Sequence, residues 1–171
     1  AETFRKQQLN VPEVLSIDKN RTAYLQTDLG DDLLYNHVIN RPEKKLDTTL
    51  MNFYKKVLTS LVQFQTIDPQ LLNQKKFYPL PLFNRKSITW DLNYFKYYFL
   101  NLHDIHYDEH KLHNDFDTLI SFVLHNDMQW FMYRDFQSRN ILIHNQQPWF
   151  IDFQGGRRGP LEYDVASLLY Q

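Results

Sequence analysis

The chain has 171 residues, 43% hydrophobic and 16% aromatic, enough apolar mass for the core of one domain or a little more. A net charge of −1 gives neither a basic field for nucleic acid nor attraction to an acidic membrane. The absence of cysteine excludes disulfides and thiolate chemistry, and no apolar run is long enough for a bilayer or shaped like a signal peptide, so the expectation is a soluble, cytoplasmic protein of open oligomeric state.

Ala1 to Gln8 is polar and helical in character, like the end of a helix. Leu9 to Leu15 contains Pro12 and is predicted to be extended. Val14 to Ile17, a turn at Asp18-Lys19-Asn20, and Thr22 to Gln26 predict a hairpin that Thr27-Asp28-Leu29-Gly30 ends. Leu46 to Gln65 is strongly amphipathic, with Leu46, Leu50, Phe53, Tyr54, Val57, Leu58, Leu61 and Phe64 at helical spacing. It is predicted to be a core helix, and no chemistry is assigned to it. Phe77 to Phe83 is a proline-broken loop.

Trp90 to Leu102 predicts a second helix with Trp90, Tyr94, Phe95, Tyr98, Phe99 and Leu102 on one side. Aromatics at this spacing usually pack in a core; in the alternative, Trp90 stacks on a sugar and Asp91 hydrogen-bonds it. Phe116, Leu119, Ile120, Val123 and Leu124 mark a third helix. Five of seven histidines fall between residues 103 and 125, and His106-Tyr107-Asp108-Glu109-His110 fits H-x-x-E-H, an inverted zinc-hydrolase pattern with Glu109 as base. No third ligand is evident, so a solvated helix face is the reading preferred here.

The chemistry concentrates in Tyr133-Arg134-Asp135-Phe136-Gln137-Ser138-Arg139-Asn140 and the hairpin behind it. Ile141-Leu142-Ile143, a polar turn at residues 144–147, and Trp149-Phe150-Ile151 predict strand, turn and strand, closed by Asp152. Asn140 and Asp152 then occupy adjoining hairpin ends, about 5 Å apart, with Asp135 in the loop beside them. Mg²⁺ takes oxygen ligands from a few side chains plus substrate phosphates, and a separate carboxylate must accept the proton of an attacking hydroxyl. Asp135 is the candidate base, and Asn140 and Asp152 are the candidate metal ligands, in the D-x4-N…D pattern of kinase-type catalytic loops.

With Ile151-Asp152-Phe153-Gln154, Arg158-Gly159-Pro160 and Tyr163-Asp164, the segment from Phe131 to Tyr170 resembles the aminoglycoside phosphotransferase and choline kinase-like family. Within that family it is most similar to bacterial kinases of cell-wall amino sugars such as N-acetylmuramate. Tyr133 stands where the family usually has histidine. The resemblance implies an α/β (α+β) protein kinase-like fold: residues 1–27 as the remnant of a small lobe with its hinge, and 28–171 as a mostly helical large lobe, incomplete at its C-terminus. It implies ATP and Mg²⁺ as cofactors and a small-molecule acceptor. Gln26, Thr27 and Asp28 become the adenine-facing hinge. Tyr133, Arg134 and Asp164 become supports of the loop; Asp164 is also placed to cap a helix over Val165 to Tyr170. Arg139 and Arg158 become candidates for phosphate, substrate or loop charges.

None of Gly30, Gly155, Gly156 and Gly159 can form a glycine-rich phosphate cover ahead of the hinge, and no lysine there sits in a strand of the right kind. The expectation is a fragment of a longer enzyme, inactive by itself. The alternative is a kinase-like module that binds without turnover.

Overall fold

The computed structural model describes residues 1–40, 47–72, 77 and 79–170. The expectations at Leu46, Tyr78 and Gln171 lie outside the described residues.

The chain opens with α1 (Glu2–Lys6), β1 (Val14–Ile17) and β2 (Tyr24–Gln26), and the two strands pair antiparallel as the sequence predicts. Asp18 closes their turn by accepting from the amides of Thr22 at 2.6 Å and Ala23 at 2.7 Å. Val14, Leu15, Ile17, Tyr24 and Leu25 are all exposed. A short helix, α2 (Leu34–Ile39), then follows the expected hinge; no sequence signal marked it.

The amphipathic segment is α3 (Thr48–Gln65), started by the Asp47 carboxylate accepting from the Leu50 amide at 2.7 Å. Leu50, Val57, Leu61 and Phe64 are buried on one face. Phe64 makes edge-on ring contacts with Phe4, Tyr133 and Phe150 at 5.0–5.3 Å, so this helix seats both the loop that begins at Tyr133 and the hairpin. Full burial of one such side chain contributes about 1.5–3 kcal/mol.

The second helix differs from expectation. It begins earlier, as α4 (Arg85–Phe95), because the Asn84 side chain caps Ser87. It then widens into a π-helical turn, Lys96–Leu100, closed by Asn101 N–H on the Lys96 carbonyl at 3.0 Å. Trp90, Tyr94, Phe95, Tyr98, Phe99 and Leu102 are exposed, so the aromatic side is not core among the described residues. Ser87, Ile88 and Leu100 are buried in its place. The third helix is α5 (Glu109–Leu124), capped by Asp108, and only Ile120 along it is buried.

Three-residue strands β3 (Trp130–Met132) and β6 (Arg157–Gly159) pair antiparallel, Phe131 opposite Arg158. The residues of β6 read as loop in the sequence. β4 (Ile141–His144) and β5 (Gln147–Phe150) form the predicted hairpin with Ile141 opposite Phe150. Its two-residue turn holds Asn145 at φ 50° and Gln146 at φ 59°, a left-handed pair that matches the twist of a tight hairpin. α6 (Leu161–Leu169) closes the described chain.

Candidate active site

The loop from Tyr133 to Asn140 leaves β3 with Arg134 at φ 80°, a conformation that costs a residue bearing a Cβ about 1–2 kcal/mol. Asp164 holds it there. The Asp164 carboxylate is fully buried and accepts from the Tyr133 and Arg134 amides, each at 2.8 Å. Burial pushes its carboxyl up to about 6, against the pull of those two amides and of the Gln65 side chain. The capping role expected of Asp164 is not found. Pro160 occupies the N-cap of α6, the helix starts at Leu161, and Asp164 sits inside its first turn with the carboxylate turned to the loop. The support of the loop through its amides is present.

Tyr133, in the usual histidine position, is buried against Phe64, Phe136 and Phe153. Its hydroxyl donates to the Ile151 carbonyl at 2.6 Å, tying the loop to the segment that carries Asp152. Burial first, then the carboxylates of Asp152, Asp164 and Asp135, hold that phenol well above its ordinary range, so it stays a donor.

The hairpin brings the three candidate residues to one edge. Ile151 N–H donates to the Asn140 carbonyl at 3.1 Å, which sets Asn140 beside the strand end that leads into Asp152. Asn140 donates its amide to the Asp135 carbonyl at 2.8 Å, so its side-chain oxygen remains for a ligand. Asp152 has φ 65°, and its carboxylate accepts from the Gln154 amide. The Asp135 carboxyl is raised by burial; Arg134 and Arg157 pull it down, and the negative charges of Asp152 and Asp91 push it up. Hard oxygen donors beside a second carboxylate suit a magnesium ion, whose charge would offset that repulsion.

The other expected residues are spread around this edge. Gln26 ends β2, opposite Val14. The Thr27 amide donates to the Glu13 carbonyl at 2.9 Å, and Asp28 accepts from Gly30 N–H at 2.9 Å. The Arg139 guanidinium lies 4.6 Å from the centre of the Tyr35 ring on α2 rather than turning to Asp135. Arg158 sits in β6, bonded through its backbone to Pro81 and Phe83, with its side-chain Nε buried and without a hydrogen-bond partner among the described residues. Trp90 is exposed with Lys86 5.0 Å from its ring centre, whereas Asp91 is ion-paired to Arg134 at 3.0 Å. The histidine motif does not form a zinc site: Glu109 is paired with Lys96 at 2.7 Å, and no group of three metal-binding side chains converges among the described residues.

Sequence reading missed Arg157 and Gly155. Arg157 is buried and donates from Nε to the Gly155 carbonyl at 3.1 Å. Gly155 in turn lies against Asp135: an added Cβ would stand 3.2 Å from Asp135 Oδ2. Two adjacent arginines before a glycine carry no signal of which one turns inward. A cleft of about 1120 Å³ opens between α1, β1 and Phe153-Gln154, but neither Asp135 nor Asn140 nor Asp152 lines it.

The sequence profile of the phosphotransferase enzyme family matches residues 2–171. The chain belongs to that family. Two relatives are N-acetylmuramate/N-acetylglucosamine kinases. The one from Neisseria meningitidis serogroup B is 24% identical over 165 residues, covering 94% of this chain and 46% of the relative. The one from Pseudomonas aeruginosa is 25% identical over 166 residues, covering 94% and 44%. This phosphotransferase-family chain therefore spans about half the length of the curated relatives it matches. Among solved structures it is similar to the gentamicin complex of APH(2'')-IIa (TM-score 0.64, 16% identity, 98% of this chain and 57% of that one). It is also similar to the aminoglycoside phosphotransferase APH(2'')-Ib with ADP bound (TM-score 0.57, 18% identity, 95% and 56%). The fold is thus the protein kinase-like α/β fold of the aminoglycoside phosphotransferases, as the sequence motifs imply. No helix among the described residues is long and apolar enough to cross a membrane.

Proposed function

We propose that this chain carries the catalytic loop of a cytoplasmic ATP-dependent kinase that phosphorylates a hydroxyl of a small molecule, an amino sugar at its anomeric position. The observation that carries this reading is the shared edge of Asp135, Asn140 and Asp152, locked from behind by Asp164 and Tyr133. The amino-sugar acceptor is taken from the kinase activity named for the two relatives.

In this reading Asp135 accepts the acceptor hydroxyl's proton as that oxygen bonds to the γ-phosphorus and the bond to the β,γ-bridging oxygen breaks, leaving ADP. Burial makes Asp135 a stronger base than an exposed aspartate. Asn140 and Asp152 would hold Mg²⁺, which supplies charge neutralisation at the phosphates. Gln26, Thr27 and Asp28 face the adenine, with the Thr27 amide already engaged by Glu13. Arg139, stacked on Tyr35, offers charge to the phosphates at the mouth, Arg158 supports the acceptor wall, and exposed Trp90 gives the sugar a stacking surface.

The test is a phosphorylation screen of amino sugars, aminoglycosides and choline with the full-length protein and magnesium-ATP. Preferred turnover of an amino sugar, abolished by Asp135→Asn, is the expected result. Magnesium-ATP binding without phosphorylation of any acceptor would defeat the reading in favour of a binding module.

A further inference from the structure

The helix that carries the exposed aromatics also sends one acid into the catalytic loop. Asp91 projects from α4, and its Oδ1 accepts from Arg134 Nη2 at 3.0 Å. Both side chains are partly shielded, 35% and 27% exposed, and the second Asp91 oxygen is buried without a hydrogen-bond partner among the described residues. Arg134 immediately precedes Asp135 and its positive charge pulls the Asp135 carboxyl down, so one guanidinium is paired with one carboxylate and acts on a second. The groups facing this cluster are Arg157 from β6, Tyr163 and Asp164 from α6, and Asp152 from the end of the hairpin.

Resting on the function proposed above, we infer that Asp91 is a positioning residue: by holding the Arg134 guanidinium on α4, it keeps that cation off Asp135 and fixes the loop in its left-handed bend. The physical case is a competition. An arginine beside a carboxylate forms a bidentate pair readily. Paired with Asp135, Arg134 would occupy the oxygens that must receive the acceptor's proton. Asp91 opposes this alternative because it is itself partly shielded, and losing Arg134 would leave its carboxylate without its ion-pair partner. The Arg134 backbone, at φ 80° and bound to Asp164, aims the side chain across to α4. Asp91 is thereby committed to the loop and not to a sugar hydroxyl.

A double-mutant cycle on the full-length protein tests this. Asp91→Asn is expected to lower kcat about 10- to 100-fold, the scale of a small misplacement at a reacting centre, with KM for magnesium-ATP unchanged and partial recovery in Asp91→Glu. In an Arg134→Ala background the same substitution is expected to cost less than about 2-fold, because coupled residues do not add. Equal losses in both backgrounds, or a KM effect alone, would overturn the inference. A second readout does not need turnover. By ¹⁵N NMR the Arg134 guanidinium is expected to be immobile in the native protein, to stay immobile with shifted signals in Asp91→Asn as it turns to Asp135, and to become mobile only when Asp135→Asn is added. If no acceptor is phosphorylated the proposed function fails, while transfer of the Arg134 guanidinium to Asp135 in Asp91→Asn still supports the tether; unshifted guanidinium signals in that variant, or a mobile guanidinium in the native protein, refute it.

Discussion

Tyr133 donates its hydroxyl to the Ile151 carbonyl at 2.6 Å, so one buried side chain joins the loop of the candidate base to the strand end that carries Asp152. Tyr133→Phe removes that donor and keeps the ring among Phe64, Phe136 and Phe153. The expected loss is about 1–2 kcal/mol of stability, the cost of a carbonyl left short of its partner. Magnesium-nucleotide affinity should fall with it, since Ile151 precedes Asp152. Denaturant unfolding and calorimetric titration measure the two effects. Full stability with full affinity would show that the bond carries nothing between the loops.

Substitutions at Asp152 test the proposed metal binding apart from folding. Its side chain is an outward oxygen donor at φ 65°, a conformation that asparagine tolerates and alanine does not. Asp152→Asn should abolish magnesium-dependent nucleotide binding with stability unchanged, whereas Asp152→Ala should add a backbone cost of about 1 kcal/mol. Unaltered magnesium-nucleotide affinity in both variants would remove Asp152 from the metal site.

Residues that share a local pattern are legible in the sequence. Two apolar runs around a polar turn at residues 144–147 specify a hairpin, and that alone brings Asn140 next to Asp152; the structure tightens the turn to Asn145-Gln146. Helical spacing likewise specifies α3 and its buried face. What was not readable depends on partners distant in sequence. Residues 157–159 are arginine, arginine and glycine, with no strand signal of their own, and become β6 by pairing with Trp130–Met132 and bridging to Leu82. The aromatics from Trp90 to Leu102 share a side, but periodicity does not say what covers that side, and here it is open. Asp164 reads as a cap because it precedes an apolar run; Pro160 starts the helix one turn earlier and frees the carboxylate for the loop.

Asp164 also gives a pH signature with a definite sign. Its folded carboxyl lies near 6, above the value of about 3.9 expected when unfolded. Between those limits the folded state binds more protons than the unfolded state, so this group's contribution is fully present below about pH 4 and is lost as pH rises through 6, by about 3 kcal/mol in all. Asp164→Asn abolishes this dependence, and its NH₂ faces one of the two loop amides as donor against donor. The variant should therefore be destabilised by about 1–3 kcal/mol at pH 4 and equal or exceed the native protein's stability near pH 7. Activity should fall, because the loop loses one of its two amide anchors. A stability difference that is constant between pH 4 and 7 would show that Asp164 is not held near 6.

Two neighbouring glycines should respond in different ways to the same added methyl group. At Gly156 a Cβ would stand 2.5 Å from Phe131 Cζ and 3.1 Å from the Phe153 carbonyl, against a buried ring that has nowhere to go. Gly156→Ala should cost about 1–3 kcal/mol through overpacking. At Gly155 the nearest atom is Asp135 Oδ2 at 3.2 Å, and the Gly155 carbonyl is held in place by Arg157. A few tenths of an ångström of yielding relieves that contact, and the movable partner is the candidate base itself. Gly155→Ala should leave the melting temperature nearly unchanged and lower kcat by about 10-fold, since small displacements of a reacting group are costly. Thermal unfolding and steady-state kinetics on both variants of the full-length protein decide it. If Gly155→Ala unfolds the protein as Gly156→Ala does, the glycine serves packing; if it changes neither stability nor kcat, Asp135 is not confined by this backbone.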